Sequence, residues 1–400
     1  MVKVFIVSEY VGAEQNSTGF FWSKIVNKIG AELGSVTVIY PRADKCSEFF
    51  SSPKIKEVAF TSPKFNKNKL LFRLVGQLCQ VAGFCWHVLR HVRKNDVVLT
   101  GTNPALLLMV IPLLKFIKGF KWGVLVHDVF PENLVPAGII KPTSTIYPII
   151  NRLFSSIYNS AELLIVIGRD MQELVRLKVK DSAKVAFVPN WADEKEVYPL
   201  PRHSAPFLKE LGWQEKVVFQ FFGNIGRLQG IENILDSIAL VEDDRAAFIF
   251  IGDGALVAKV KEFVKSNPQK NVAYAGSIPL KDKNQGLAAG DVALITLEKG
   301  MLGLGVPSKA YFSLAADKPL LAVMDDDAEI SLMIRENGVG WQCKPADPRA
   351  LADVIATICN SDLAALSGCS LAVFRESYAE DIALNKFYAN VANLIGKNKV

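Results

Sequence analysis

The chain has 400 residues, half of them hydrophobic and 22% charged, and carries a net charge of +6. That length suggests two or three domains with ample cores, and the composition is ordinary for a globular protein with large buried sheets. The longest apolar stretch, residues 105–114, is far short of the ~20 residues that span a bilayer, so the chain reads as soluble or peripheral. Six scattered cysteines, Cys46, Cys79, Cys85, Cys343, Cys359 and Cys369, form no CxxC pair and have no histidine at ligand spacing. They read as reduced, mostly buried thiols of a cytoplasmic protein, against a disulfide framework or a structural zinc. The opening MVKVFIVSEY reads as a strand entering a loop, not as a signal peptide.

In chain order, strands are predicted at 2–7, 36–39, 97–99, 122–126, 163–167 and 184–188, with helices at 19–29, 104–117 and 148–159. Short β-rich runs separated by helices argue a parallel sheet covered on both faces. The scheme then repeats, with strands at 217–222, 247–251, 272–275, 292–295, 320–323 and 340–342. Residues 189–206, with four prolines, read as the hinge between two α/β lobes, 1–195 and 196–371. A final helix, expected over 371–395, is placed back against the first lobe. Two doubly wound lobes imply a cleft, with ligands at the carboxyl ends of the strands.

The most informative segment is FFGNIGRLQG, 221–230. A buried strand breaks at Gly223, a glycine-bearing turn follows, and a helix opens with Ile234, Leu235, Ile238 and Val241 on one face. Glycines let backbone approach an anion, and the free amides and dipole of the first helical turn favour negative charge. Arg227 adds a planar charged fork suited to a diphosphate. The turn is neither GxGxxG nor GxxxxGK[ST], which narrows the ligand to a phosphate compound outside those two groups. A second phosphate candidate is the loop 303–309, where Gly303 and Gly305 give a flexible approach, Ser308 a hydroxyl and Lys309 a point charge. Each turn taken alone also fits an ordinary strand–helix connector.

These turns, FIFIGDG (248–254), GVPSKAYFSLAADKP (305–319), TNPALLLMVIPLL (102–114), VLVHDVFPENLV (124–135) and PNWAD (189–193) come in an order and spacing specific as a set. Together they resemble retaining glycosyltransferases of family four, with the GT-B fold of two Rossmann-like lobes, in the branch that builds O-antigen, capsule and other exopolysaccharides. The resemblance covers essentially the whole chain. It implies a nucleotide diphospho-sugar in the second lobe, with UDP the expected carrier. Gly223, Asn224 and Arg227 would cradle the diphosphate, with Gly252 and Gly254 near the nucleotide and Ile278 near the base. Gly305, Val306, Pro307, Ser308 and Lys309 would form the second phosphate loop, and Glu298 and Glu329 are the carboxylates available to the sugar or ribose.

In the first lobe, the resemblance puts His127 against the donor sugar, with Asp128 and Glu132 to orient it or meet the acceptor. His127 would hydrogen-bond a sugar hydroxyl or carry partial positive charge at pH 7. Gly19 would bring backbone near the donor, and Glu9, Asn16 and Ser17 would touch the acceptor. Four positions depart from the family pattern: Gln229 replaces a basic residue closing the first loop, Leu302 and Phe312 stand where acidic residues are usual, and Asp317 stands where a glycine is common before the strand-leading proline. No cofactor and no metal are expected. The run Asp325-Asp326-Asp327 reads as a solvated loop, although it looks like the metal-binding DxD of the other glycosyltransferase fold.

Between Val58 and Val126 there are ten Lys or Arg against one acidic residue, Asp96. Within it, 64–94 combines Lys64, Lys67, Lys69 and Arg73 with Leu78, Phe84 and Trp86, a pattern that fits either a membrane-surface helix or a core helix with a basic face. With the family's geometry, this lobe would receive a lipid-linked glycan at the inner face of the cell membrane, and nucleic acid is not expected as a partner. Two other readings stand beside transfer: a UDP-sugar 2-epimerase of the same fold, and a catalytically weak nucleotide-sugar-binding partner protein.

Overall fold

The computed structural model describes residues 2–12, 14–42, 49–50, 52–63 and 70–396; Cys46, Lys64, Lys67 and Lys69 lie outside them. The first lobe runs β1 (Val4–Val7), α1 (Ser17–Leu33), β2 (Val36–Pro41), β3 (Ile55–Phe60), α2 (Leu70–His91), β4 (Val97–Gly101), α3 (Ala105–Lys118), β5 (Lys121–Val126), α4 (Tyr147–Ser160), β6 (Leu163–Val166), α5 (Arg169–Lys178) and β7 (Val185–Phe187). Its strands form one parallel sheet in the order β3-β2-β1-β4-β5-β6-β7. The second lobe runs α6 (Pro206–Glu210), β8 (Val217–Phe222), α7 (Ile231–Leu240), β9 (Ala246–Ile251), α8 (Val257–Ser266), β10 (Val272–Gly276), α9 (Lys283–Ala288), β11 (Val292–Thr296), α10 (Lys309–Ala315), β12 (Leu320–Val323), α11 (Glu329–Asn337), β13 (Gly340–Cys343) and α12 (Pro348–Cys359). Its sheet is also parallel, ordered β10-β9-β8-β11-β12-β13.

The strands are apolar almost without interruption, as β1 (VFIV) and β9 (AAFIFI) show with every residue buried. Helices cover both faces, so no side of these strands meets water. Strand order reverses between β1 and β4 in one sheet and between β8 and β11 in the other. Crevices open at the carboxyl ends of such neighbours, which places the loops after β1, β4, β8 and β11 where a ligand is received.

Two expectations need correction. Residues 55–60 form a seventh first-lobe strand, paired along β2 from Val36↔Ile55 to Pro41↔Phe60. Its sequence IKEVAF, with Lys56 and Glu57 on an edge, lacks the apolar run that marks the inner strands. The expected helix 371–395 is broken. A short α13 (Cys369–Val373) passes through a π turn at Phe374–Tyr378, and Ala379 is extended before α14 (Glu380–Ile395) begins. Ala379 bridges Ala192 in the hinge segment, and α14 packs on α1, β5 and β6. Lys24 on α1 ties the same place together, pairing Asp193, Glu196 and Glu380.

Of the cysteines, Cys343 and Cys359 are buried, Cys85 and Cys369 half-buried, and Cys79 is exposed against expectation. In α2, Phe84 is fully buried while Leu78 and Trp86 face outward. No single described helix is long and apolar enough to cross a membrane.

Candidate active site

The glycine turn after β8 owes its shape to its neighbour after β9. A Cβ on Gly252 would sit 1.8 Å from the Gly223 carbonyl oxygen, and one on Gly254 would sit 2.4 Å from that of Ile225. Gly252 has φ +140° and Gly254 φ +155°, so both the space and the backbone conformation require glycine. The loops are laced by Gly223 N donating to Ile251 O (2.8 Å) and Ile225 N to Asp253 O (2.8 Å). These glycines therefore bring backbone against backbone, which leaves the turn rigid at the foot of α7. Gly230, with φ +59°, caps α7 without a side-chain bond, so the first-turn amides stay open to a ligand.

Arg227 lies on the 3-10 turn before that helix, exposed, with no hydrogen bond or ion pair among the described residues. Asn224 is exposed beside it, and Ile278 packs partly buried under the loop after β10. On the β11 side, Glu298 N donates to Leu228 O (2.9 Å), which ties the first phosphate-loop candidate to the segment after β11.

Lys309 opens α10. Its Nζ is buried and has no hydrogen-bond partner among the described residues, and it stands 3.6 Å from the centre of the Phe221 ring. Burial pushes its pKa down from 10.5 to about 7. The ring face offers weak cation attraction but does not replace a counter-ion. Ser308 precedes it without a side-chain cap bond, and Pro307 is buried.

The loop before α10 is held by the first lobe. Asp170, buried, accepts from Gly303 N (3.0 Å), and Val129 N donates to Leu304 O (3.2 Å). A Cβ on Gly305 would lie 3.5 Å from His127 O, and one on Gly168 would meet Val306 at 2.7 Å. Glu329 is buried and bound to Arg169 through Nε (2.9 Å) and the backbone N (2.8 Å), while the same guanidinium reaches Glu336 at 2.7 Å. Desolvation raises the Glu329 carboxyl, and Arg169 opposes that. Phe312 packs edge-on against Phe20 of α1 at 5.6 Å, which gives this departure from the family pattern a physical reason. Leu302 is exposed.

His127 follows β5 with its ring over Phe21 (6.3 Å between centres). Both ring nitrogens are buried, with no hydrogen-bond partner among the described residues. Desolvation pushes its pKa down to about 4, so it is neutral at pH 7, and of its two expected roles the partial positive charge is set aside while hydrogen bonding to a sugar hydroxyl stays open. Thr102 Oγ1 accepts from the backbone N of His127 and of Asp128, both at 3.3 Å. Neither expected carboxylate hydrogen-bonds the imidazole. Burial raises Asp128 to about 6, with Asn103 hydrogen-bonded to it in opposition, and Glu132 is paired with Lys178. The unsatisfied imidazole and ammonium are buried polar groups of the kind that a ligand completes.

Of the residues expected to meet the acceptor, Asn16 caps α1, its Oδ1 accepting from Gly19 N at 2.9 Å. Gly19 is required because a Cβ there would lie 2.2 Å from Gly12 O. Glu9, on the loop after β1, is half-buried, and Ser17, the first residue of α1, is exposed. Sequence reasoning missed Arg169, Asp170, Thr102 and Asn103. The first two lie directly after the strand β6 and Gly168, a position at a carboxyl end that itself marked them.

Two parallel-sheet lobes, with glycine loops bearing Arg227 and Lys309 in one and a buried histidine in the other, define a GT-B architecture. The description "Glycosyl transferases group 1" matches residues 216–361. Over all 400 residues the chain is 54% identical to the "Probable glycosyltransferase WbjE" of Pseudomonas aeruginosa, covering 100% of both. It is 24% identical over 149 residues, 36% of each chain, to a putative colanic acid biosynthesis glycosyl transferase, WcaI, of Escherichia coli K12. Among solved structures, Anabaena HepE in complex with UDP superposes with a TM-score of 0.72 at 15% identity, over 98% of this chain and 100% of that one. The lipopolysaccharide glycosyltransferase WaaG superposes at 0.66 and 11% identity, over 97% and 98%. The chain belongs to the group 1 glycosyltransferases and has their GT-B fold.

Proposed function

We propose that this glycosyltransferase moves a sugar from a UDP-linked donor onto a polyprenyl-diphosphate-linked saccharide during cell-surface polysaccharide synthesis, with retention and without a metal. The observation that carries the donor half is Lys309, a buried ammonium without a counter-ion behind the turn that bears the exposed Arg227. Two cations and the open amides of α7 supply the charge that a leaving diphosphate needs. Arg227 and Lys309 leave two basic residues for the diphosphate despite Gln229, which favours an active enzyme over a silent partner protein. The UDP named for HepE and the colanic acid named for WcaI support the donor and the product class.

His127, neutral, offers one N–H donor and one acceptor to sugar hydroxyls. Because no carboxylate hydrogen-bonds it, it is no base relay. That suits front-face attack, in which the departing diphosphate takes the acceptor proton. The test is thermal-shift binding of UDP, GDP and ADP to wild type and Arg227→Ala. A ligand at ~100 times its dissociation constant stabilises by about 2.7 kcal/mol. UDP alone should shift wild type and fail to shift the variant. A shift by none of the three sinks the donor assignment, and retention is read from the anomeric configuration of the product.

A further inference from the structure

The layer formed by α2, α3 and α4 covers the first-lobe sheet opposite α1 and α14, and nothing among the described residues covers it. On α3, Leu113, Phe116 and Ile117 are 59%, 87% and 58% exposed, and on α4, Ile149 is 69% exposed beside Leu153. Their spacing makes one outward stripe on each helix, and the two helices pack side by side. A cavity of ≈ 440 Å³ lined by Ile139, Ile140, Ile146, Ile150 and Lys141 continues the apolar surface toward the loop after β5. A contiguous exposed apolar area of this kind marks an interaction site.

The charge around it selects the occupant. The three helices contain no Asp or Glu, while Arg73, Arg90, Lys115, Lys118 and Arg152 lie on them. Lys115 is paired with Glu162, and Lys118 donates to Leu89 O at 2.8 Å; Arg90 and Arg152 have no ion pair among the described residues. A second copy docked symmetrically here would set like charge on like charge, with no carboxylate on the three helices to answer it and the neighbouring Glu162 already paired to Lys115. From the acid-free, cation-bearing helices and the apolar centre, we infer that this face seats the enzyme on an anionic lipid bilayer, with Phe116 and Ile149 entering the acyl boundary. It deepens the acceptor reading above by fixing which side of the lobe meets the lipid.

The test is co-sedimentation of the full chain with vesicles of phosphatidylglycerol and phosphatidylcholine, or of phosphatidylcholine alone, at low and high salt and without donor or acceptor. Binding is expected with the anionic vesicles only and should fall with salt. Phe116→Ser with Ile149→Ser should lower partitioning at least roughly tenfold, and Arg90→Gln with Arg152→Gln by roughly tenfold or more. Unaltered thermal unfolding shows that each variant is folded. Equal binding by wild type and both variants overturns the inference, as does no binding at all. So does a solution dimer that the Phe116 and Ile149 substitutions split. Vesicle binding with failed transfer to lipid-linked saccharides leaves this surface standing and sinks only the acceptor assignment.

Discussion

Replacing Lys309 by Met isolates a buried cation of the candidate donor site. In the free protein its pKa is about 7 against an ordinary 10.5. The folded value is depressed, so the unfolded chain binds more protons between those limits and stability rises with pH across them. Below pH 7 the buried ammonium costs roughly 5 kcal/mol, so Lys309→Met should raise the Tm of the free protein. A bound diphosphate reverses the balance by holding the ammonium charged. Between pH 7.5 and 9 the charged fraction of the free site falls from about a quarter to about one in a hundred. UDP affinity should then fall about 25-fold, or about 1.9 kcal/mol. His127 at about 4 and Asp128 at about 6 have finished titrating below that window. The assay is isothermal titration of UDP across it, and the Met variant should give a flat profile. A flat wild-type profile, or an equal slope in the variant, would refute the placement of Lys309 on the diphosphate.

Gly252→Ala sets a Cβ 1.8 Å from the Gly223 carbonyl at φ +140°, and thermal unfolding should show a loss of roughly 3 kcal/mol or more; an unchanged Tm would show that the two turns separate freely. Arg169→Ala leaves Glu329, with 1% of its side chain exposed, as an unpaired buried carboxylate. The expected cost is about 3–5 kcal/mol, partly restored by adding Glu329→Gln, and failure of that rescue would put the loss elsewhere. Phe312→Glu restores the acidic residue usual in the family but sets it against Phe20. Urea unfolding should report a loss of roughly 2 kcal/mol, and a stabilised variant would mean that the pocket is wetter than its packing implies.

Much of the fold was legible because its strands are unbroken apolar runs, and VFIV or AAFIFI allows no other burial. The edge strand IKEVAF was not legible, because half of it meets solvent and its pairing with β2 is a long-range fact. The break at Ala379 was hidden for a related reason: alanine is a good helix former, and only the bridge to Ala192 holds it extended. In the site, Arg227 and Lys309 were readable from glycine-turn chemistry. What escaped was the joining of the lobes. Asp170 on Gly303 and Arg169 on Glu329 are contacts across 133 and 160 residues, and no local pattern encodes them. Glycines chosen as ligand contacts were legible as special positions, but the reason was not, since Gly19 and Gly252 make room for other backbone.

The return of the chain through Ala379 has a consequence for biosynthesis. Helix α14 buries Phe387, Val391 and Leu394, and Leu394 O accepts from Lys121 Nζ at 2.7 Å on β5. The amino-terminal lobe therefore waits on the ribosome with one face of β5 and β6 uncovered until residues 380–395 emerge, although its own sheet ended at Phe187. The lobe made second has all its strands by Cys343 and its last packed elements, α13 and the π turn against α10, by Tyr378. On the nascent chain the order of completion is thus the reverse of the order of translation.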